Sequence, residues 1–104
     1  MPELRRQPRY QVNCPVSFVV EDETGIGVVY DLSEEGCAIE SDVRVPQEGY
    51  ASASLTIPGT SDPVLIELAR VRWVTRHAFG LEFRIISRAG RKRIRRYLLL
   101  EQAA

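Results

Sequence analysis

The alternation of apolar and polar residues is the feature that most limits what this chain can fold into. Between residues 12 and 20, apolar side chains occupy every second position, with Asn13, Pro15 and Ser17 between them. Successive side chains of a β-strand point to opposite faces, so this period of two is typical of a strand buried on one side. Pro15 cannot donate a backbone hydrogen bond, which predicts a sheet edge or a bulge at that position.

Similar segments follow along the chain, separated by turn-forming sequences such as residues 21–25 and 58–63. The predicted strands cover residues 12–20, 26–32, 37–40, 51–57, 64–75 and 79–85. After them the period becomes helical: Ile94, Tyr97 and Leu98 lie on one helical face, and Ser87 can cap the helix.

Short strands followed by one helix predict an all-β fold, namely a six-stranded antiparallel β-barrel with a C-terminal α-helix. The predicted organisation is a single domain with three parts. Residues 1–10 form an N-terminal arm, because Pro2 and Pro8 break helix and no core residue precedes Tyr10. The barrel covers residues 11–86 and the helix residues 87–102.

Several residues with reactive side chains are predicted to be structural. Cys14 and Cys37 lack the spacing of metal ligands, and His77 is the single histidine, so we expect two reduced, mostly buried thiols and a solvated loop histidine. Trp73 alternates in phase with the apolar residues of its strand and is predicted to belong to the core. No nucleophile with a nearby base, metal cluster or glycine-rich phosphate loop emerges, which predicts a binding module rather than an enzyme, with no cofactor.

The formal net charge is zero, but its distribution is uneven. Seven cationic residues fall in the last quarter of the chain: Arg84, Arg88, Arg91, Lys92, Arg93, Arg95 and Arg96. They form either the solvated outer face of the helix or a surface for an anionic partner. The sequence shows neither a membrane-spanning apolar run nor the apolar region of a secretory signal, so we expect a cytoplasmic protein.

Two short motifs stand out together. The arm contains Arg-x-x-x-Arg at Arg5 and Arg9, and the turn after the second strand contains Asp-x-Ser-x-x-Gly at Asp31, Ser33 and Gly36. Each motif alone is weak, since a basic tail solubilises a chain and Asp, Ser and Gly are ordinary turn residues. In a meander of strands, however, the arm and this turn can lie at the same end of a barrel.

With these motifs, the chain resembles the PilZ domain family over nearly its whole length. The resemblance also includes Pro15-Val16, Val71-Arg72-Trp73-Val74, Phe79-Gly80-Leu81-Glu82-Phe83 and Arg95-Arg96-Tyr97-Leu98. It implies a barrel that binds the bacterial second messenger cyclic di-GMP. The residues implied in binding are Arg5 and Arg9 in the arm and Asp31, Ser33 and Gly36 at the barrel, with the adjacent Arg6 as a less secure candidate.

The chemistry of these residue types agrees with that ligand. A guanidinium fork matches the O6 and N7 acceptors of guanine, and it also pairs with phosphate. Asp31 can accept hydrogen bonds from guanine N–H groups, and Ser33 can donate one. Gly36 permits a positive φ and a close approach of backbone to ligand. Glu34 and Glu35, between them, are expected to be solvated.

The sequence therefore predicts a cyclic di-GMP receptor whose arm is mobile without ligand, orders on binding and signals to an unknown protein partner. Two alternatives stay open. One is a PilZ-like adaptor that contacts proteins without binding nucleotide. The other, less favoured, is a small barrel that binds nucleic acid through the basic helix, although its strands lack an evident row of exposed aromatic residues for base stacking.

Overall fold

Antiparallel strands close on themselves to form a barrel, and one helix follows. The structure is a computed structural model that describes residues 9–103 of the 104-residue chain. The strands are β1 (Tyr10–Val20), β2 (Glu23–Leu32), β3 (Gly36–Glu40), β4 (Tyr50–Leu55), β5 (Val64–Val74) and β6 (Ala78–Ile86), and the helix is α1 (Arg88–Ala103). The predicted fold class is confirmed.

The strand order around the barrel is β1-β2-β3-β6-β5-β4, and β1 pairs with β4 to complete the circle. In that closing pair Val16 lies opposite Leu55 and Val20 opposite Ala51. Closure removes the unpaired strand edges at which a sheet could recruit another chain. Pro15 lies just outside this closing pair, and the neighbouring β1–β2 ladder has a register shift between Gln11 and Cys14.

The first hairpin is tighter than the sequence predicts. Val20 pairs with Glu23, so the turn consists of Glu21 and Asp22 alone rather than residues 21–25. Glu21 has a positive φ of 52°. Its carboxylate accepts a hydrogen bond of 2.8 Å from the backbone N–H of Tyr50 and so ties the turn to the start of β4.

The inward-facing residues of the strands form one core. Phe18 and Phe79 meet edge to face at its centre, with ring centroids 5.0 Å apart. Leu32, Ile39 and Leu55 are almost completely buried around them. This arrangement of alternate residues is what the period of two predicts, and it fixes which residues remain on the outer surface.

The alternation of β5 changes phase partway along the strand. Val64 and Ile66 face the core, but so do Ala69 and Val71, which belong to the opposite phase. The cause is a set of register shifts against β6, between Ile66 and Leu68 and between Leu68 and Ala69. A bulge inserts an extra residue, so the side chains that follow it point to the other face until the next register shift.

A third shift in the same ladder, between Val71 and Trp73, puts Trp73 on the outside. Trp73 is 37% exposed, so its predicted place in the core is wrong.

The C-terminal helix begins where the sequence predicts. The hydroxyl of Ser87 accepts a hydrogen bond of 2.9 Å from the backbone N–H of Gly90, which caps the first turn. Ile94 and Leu98 are buried and Tyr97 packs against the core, so the predicted apolar face is confirmed. The helix packs against β5. No helix within residues 9–103 combines the length and the hydropathy needed to cross a bilayer.

We predict that Ile94 anchors this helix. Ile94→Ala should lower the free energy of unfolding by about 2–5 kcal/mol, because it removes a fully buried side chain and leaves a cavity. Chemical denaturation measures the loss. Leu99→Ala is the matched control: Leu99 is 59% exposed on the same helix, and its replacement should change stability by no more than about 0.5 kcal/mol. Equal losses would contradict the packing described.

Candidate functional site

The two sequence motifs meet where the first two strands lie side by side. Since β1 and β2 are antiparallel, the start of β1 is next to the end of β2, and Gln11 lies opposite Asp31. Arg9 precedes β1 directly, and its Nη1 lies 3.1 Å from Oδ2 of Asp31. Both side chains are about one-third exposed, at 30% and 31%. The Arg9 end of the arm motif and the Asp31 end of the turn motif are thus in direct contact.

The second carboxylate oxygen of Asp31 is in a different situation. Oδ1 is buried and has no hydrogen-bond partner among the residues that the structure describes. A buried acceptor without a donor costs about 1–3 kcal/mol of folding free energy. Such groups are uncommon in folded proteins and call for an explanation.

Ser33 is buried, and its hydroxyl forms hydrogen bonds within the turn. Its hydroxyl oxygen lies 3.1 Å from the backbone N–H of Glu35, which donates to it, and 3.4 Å from the carbonyl oxygen of Gly36, to which it donates. The backbone N–H of Ser33 donates to the same carbonyl at 2.9 Å. Ser33 is only 3% exposed. Its side chain therefore holds the shape of the loop that follows Asp31.

Gly36 has a different role from the one that the sequence predicts. In the described chain, Gly59 is the glycine with a positive φ, so the expectation of a positive φ at Gly36 is wrong. A Cβ at Gly36 would instead overlap the carbonyl oxygen of Leu81 on β6. Gly36 opens β3 and lies opposite Glu82, and the two backbones come close there. Glycine is needed for strand packing, which the turn motif alone does not indicate.

Glu34 is not the solvated turn residue that the sequence predicts. Its Oε1 and Oε2 accept hydrogen bonds from Arg95 on α1, at 2.9 Å from Nη2 and 3.1 Å from Nε. The Glu34 side chain is only 17% exposed. Nη1 of Arg91 donates to the Glu34 carbonyl at 2.9 Å. The hydrogen bonds from Arg95 to the Glu34 carboxylate, together with the charge of that carboxylate, raise the pKa of Arg95. The motif turn is thus bound to the helix at two points.

Part of the basic run is likewise occupied within the chain. Arg93 donates to Thr60 Oγ1 at 3.2 Å, to the carbonyl of Pro63 at 3.3 Å and to the carbonyl of Asp62, holding the loop before β5. Nε of Arg84 lies 3.2 Å from Oε1 of Glu82. With Arg91 and Arg95 at Glu34, four of the basic side chains have partners in their own chain. The solvated helix face predicted from the sequence is therefore confirmed only in part.

The remaining candidates are two arginines of the arm, two cysteines and one histidine. Arg5 and Arg6 lie outside the described residues. Cys14 and Cys37 are free and buried, as predicted. Burial raises the pKa of Cys37 to about 12, and the nearby charge of Arg9 lowers it only in part, so this thiol is protonated at neutral pH. His77 is exposed. In the part of the chain described, no cluster of His, Cys, Asp or Glu could hold a metal ion.

Two grooves lined by described residues lie away from the motifs. One groove of about 450 Å³ runs over β1, β4 and β5, with Val19 and Leu65 in its lining. Another, of about 480 Å³, lies at the start of α1 beside Arg88 and Lys92. Neither is lined by Arg9, Asp31, Ser33 or Gly36.

We predict that Gly36 tolerates no side chain. Gly36→Ala should lower the free energy of unfolding by about 1–3 kcal/mol, because the added methyl group pushes β3 away from the backbone of β6. Thermal or chemical denaturation measures this. Gly49→Ala is the comparison: the nearest atoms to its new methyl group belong to the Glu21 side chain, at 3.1 Å, so its cost is limited to a shift of that side chain and its hydrogen bond to Tyr50. A loss for Gly36→Ala no greater than that of the comparison would refute the close strand contact.

Proteins of known structure share the fold of this chain. The structure of the Bacillus subtilis inhibitor of motility (MotI/DgrA) superposes with a TM-score of 0.82 at 19% identity, covering 98% of this chain and 53% of that one. This chain therefore spans about half the length of that protein. The PilZ domain of CeSA, from a cellulose-synthesizing bacterium, superposes with a TM-score of 0.69 at 18% identity, covering 90% and 98%. At these identities the likeness concerns the fold.

At the level of sequence, no curated protein matches this chain. A family model described as the PilZ domain does match, over residues 3–100. That match takes in the arm motif, the turn motif, all the strands and most of the helix. The chain belongs to the PilZ domain family.

Proposed function

We propose that this chain is a receptor for cyclic di-GMP, that Arg5, Arg9 and Asp31 contact the ligand, and that Ser33 and Gly36 hold the site in shape. Membership of the PilZ family supports the ligand class. The observation that carries the assignment to this surface is the contact of 3.1 Å between Arg9 and Asp31, which joins the two motifs. Arg6, beside Arg5, is a secondary candidate.

The unpaired oxygen of Asp31 supports the choice of a guanine ligand. Guanine carries an amino donor at N2, and a carboxylate oxygen without a partner is a fitting acceptor for such a group. Arg9 holds Oδ2 of the same carboxylate with one end of its guanidinium. A guanidinium has five N–H donors, more than one carboxylate oxygen can accept, so Arg9 can serve a base or a phosphate as well.

Ser33 and Gly36 take indirect parts in this proposal. The Ser33 hydroxyl already bonds the turn at both of its polar contacts, and Gly36 lets β3 approach β6. We assign both residues to holding the Asp31 carboxylate and the backbone behind it in place for the ligand. In this role, no general base or nucleophile is required, and we propose a binding module rather than an enzyme.

The response would pass through the arm. We propose that ligand contacts made by Arg5 and Arg9 change the conformation of residues 1–10 and that a partner protein recognises the changed arm. The similar structures are named for inhibition of motility and for cellulose synthesis. A role in motility or biofilm regulation, exercised in the cytoplasm, is accordingly part of the proposal.

Calorimetric titration with cyclic di-GMP tests the receptor. We expect saturable binding that Arg9→Ala or Arg5→Ala weakens at least tenfold, because a lost charge-assisted contact costs about 1.5–3 kcal/mol. Arg44→Ala is the matched control, since Arg44 is exposed in the loop after β3, at the end of that strand away from Gly36. GTP and cyclic di-AMP serve as competitors. No heat from the wild-type protein would reject the receptor and favour a protein-binding adaptor.

Amide exchange tests the arm. Exchange at residues 4–10 should slow when cyclic di-GMP is added, because the ligand restrains the backbone on both sides of the contacting arginines. The Arg9→Ala protein at the same ligand concentration is the control and should show little slowing. Equal exchange with and without ligand in the wild-type protein would reject the conformational step while leaving ligand binding untouched.

A further inference from the structure

The groove at the start of α1 is lined mainly by cations. Arg88, Arg91, Lys92 and Arg95 line it, and Ile86, the last residue of β6, adds an apolar side chain. Its volume is about 480 Å³, and no acidic residue of the described chain is among its lining residues. The two sequence motifs do not explain why so many positive charges face one space.

Glu34 of the motif turn holds two of these cations in place. Arg95 donates to its carboxylate and Arg91 to its backbone carbonyl. That carboxylate offsets one of the four positive charges around the groove. Arg88 and Lys92 are exposed and have no partner among the residues that the structure describes. The groove therefore combines two fixed guanidinium groups with two cations that are available to a partner.

The solvent-facing side of α1 has two chemically different halves. Opposite the buried stripe of the helix, Arg88, Lys92 and Arg95 follow one another at helical spacing, and Leu99 continues the same line. Leu99 and its neighbour Leu100 are 59% and 65% exposed. The first half of this side is thus cationic and the second half is apolar, with the two halves joined end to end.

The position of the cations is unfavourable for the helix itself. The first turn of an α-helix carries partial positive charge, so cations destabilise it there and acids stabilise it. The helix α1 has no acidic residue in its first turn and no basic residue in its last turn, which is the reverse of what the dipole favours. Helix stability therefore does not account for this arrangement, whereas attraction of an anionic partner does.

The exposed leucines decide which anionic partner fits. A helix that lies in a membrane interface needs a broad apolar face to insert. In α1 that face, at Ile94, Tyr97 and Leu98, packs against the barrel core, which leaves Leu99 and Leu100 for lipid. Nucleic acid would pair its phosphates with the cations and leave the leucines in water. An acidic protein segment that also carries apolar residues matches both halves of the surface.

We propose that the cationic groove and the outer side of α1 are a docking surface for an acidic segment of a partner protein. The carboxylates of that segment bind at Arg88 and Lys92, and its apolar side chains pack on Leu99 and Leu100. Arg88 and Leu99 lie about three helical turns apart, or about 16 Å, which sets the length of the segment. This inference goes beyond the proposed function and does not rest on cyclic di-GMP binding.

Fluorescence anisotropy with the whole chain and no nucleotide tests the surface. The probe is a fluorescein-labelled peptide whose first half is rich in glutamate and whose second half is rich in leucine. We expect saturable binding that Arg88→Glu or Lys92→Glu weakens at least tenfold and Leu99→Ala about threefold. A peptide of the same composition in scrambled order should bind less tightly. Arg44→Glu makes the same charge change in an exposed loop and should bind like the wild type.

Thermal denaturation separates docking from folding. Arg88→Glu should raise the melting temperature although it weakens peptide binding, because an acidic residue suits the first turn of a helix. Leu99→Ala should leave the melting temperature unchanged, since the side chain is exposed. A lower melting temperature together with weaker binding in both variants would assign these residues to folding, against the proposal.

Three further outcomes would overturn the docking surface. Equal weakening in Arg44→Glu would reduce the effect to net charge. Tighter binding of anionic-lipid vesicles or duplex DNA than of the peptide, lost in Arg88→Glu, would assign the surface to lipid or nucleic acid. No peptide binding by the wild-type protein at low ionic strength would also reject it. None of these results bears on the cyclic di-GMP receptor, which calorimetry tests separately.

Discussion

The candidate site depends on the antiparallel pairing of β1 with β2. That pairing puts the start of β1 beside the end of β2, where Arg9 meets Asp31. The pairing of β1 with β4, with Val16 opposite Leu55 and Val20 opposite Ala51, closes the barrel and fixes the position of each strand around the circle. The site is a product of strand pairing as much as of its motifs.

The sequence predicts the barrel because local patterns determine it. The period of two, the turn residues and the helical stripe at Ile94 and Leu98 are all short-range signals, and they place the strands and the helix correctly, although the first turn is shorter than predicted. Bulges are different. Whether β5 changes phase between Ile66 and Ala69 depends on how it pairs with β6, which alternation within one strand does not reveal. Alternation alone therefore places Trp73 on the wrong side of the sheet.

The contacts of the candidate site also divide into those that local sequence predicts and those that it does not. That Arg9 and Asp31 come together could be expected from a meander, in which the arm and the second turn share an end of the barrel. The bond between Glu34 and Arg95 joins residues far apart in the chain, and nothing near either residue indicates the other. The turn motif predicts that Gly36 provides backbone freedom in the turn, whereas the structure requires glycine there because a Cβ would overlap the carbonyl of Leu81 on another strand. Long-range contacts decide the details that local patterns leave open.

The bond between the motif turn and the helix also changes how the turn appears to an approaching anion. The segment from Asp31 to Glu35 carries three carboxylates, which by themselves would repel a phosphate. Arg9 neutralises Asp31 and Arg95 neutralises Glu34, leaving the charge of Glu35 at the exposed end. Arg95 of the helix thus offsets the negative charge of Glu34 in the loop. The negative charge of this acidic turn is thus reduced by a residue that lies 61 positions further along the chain.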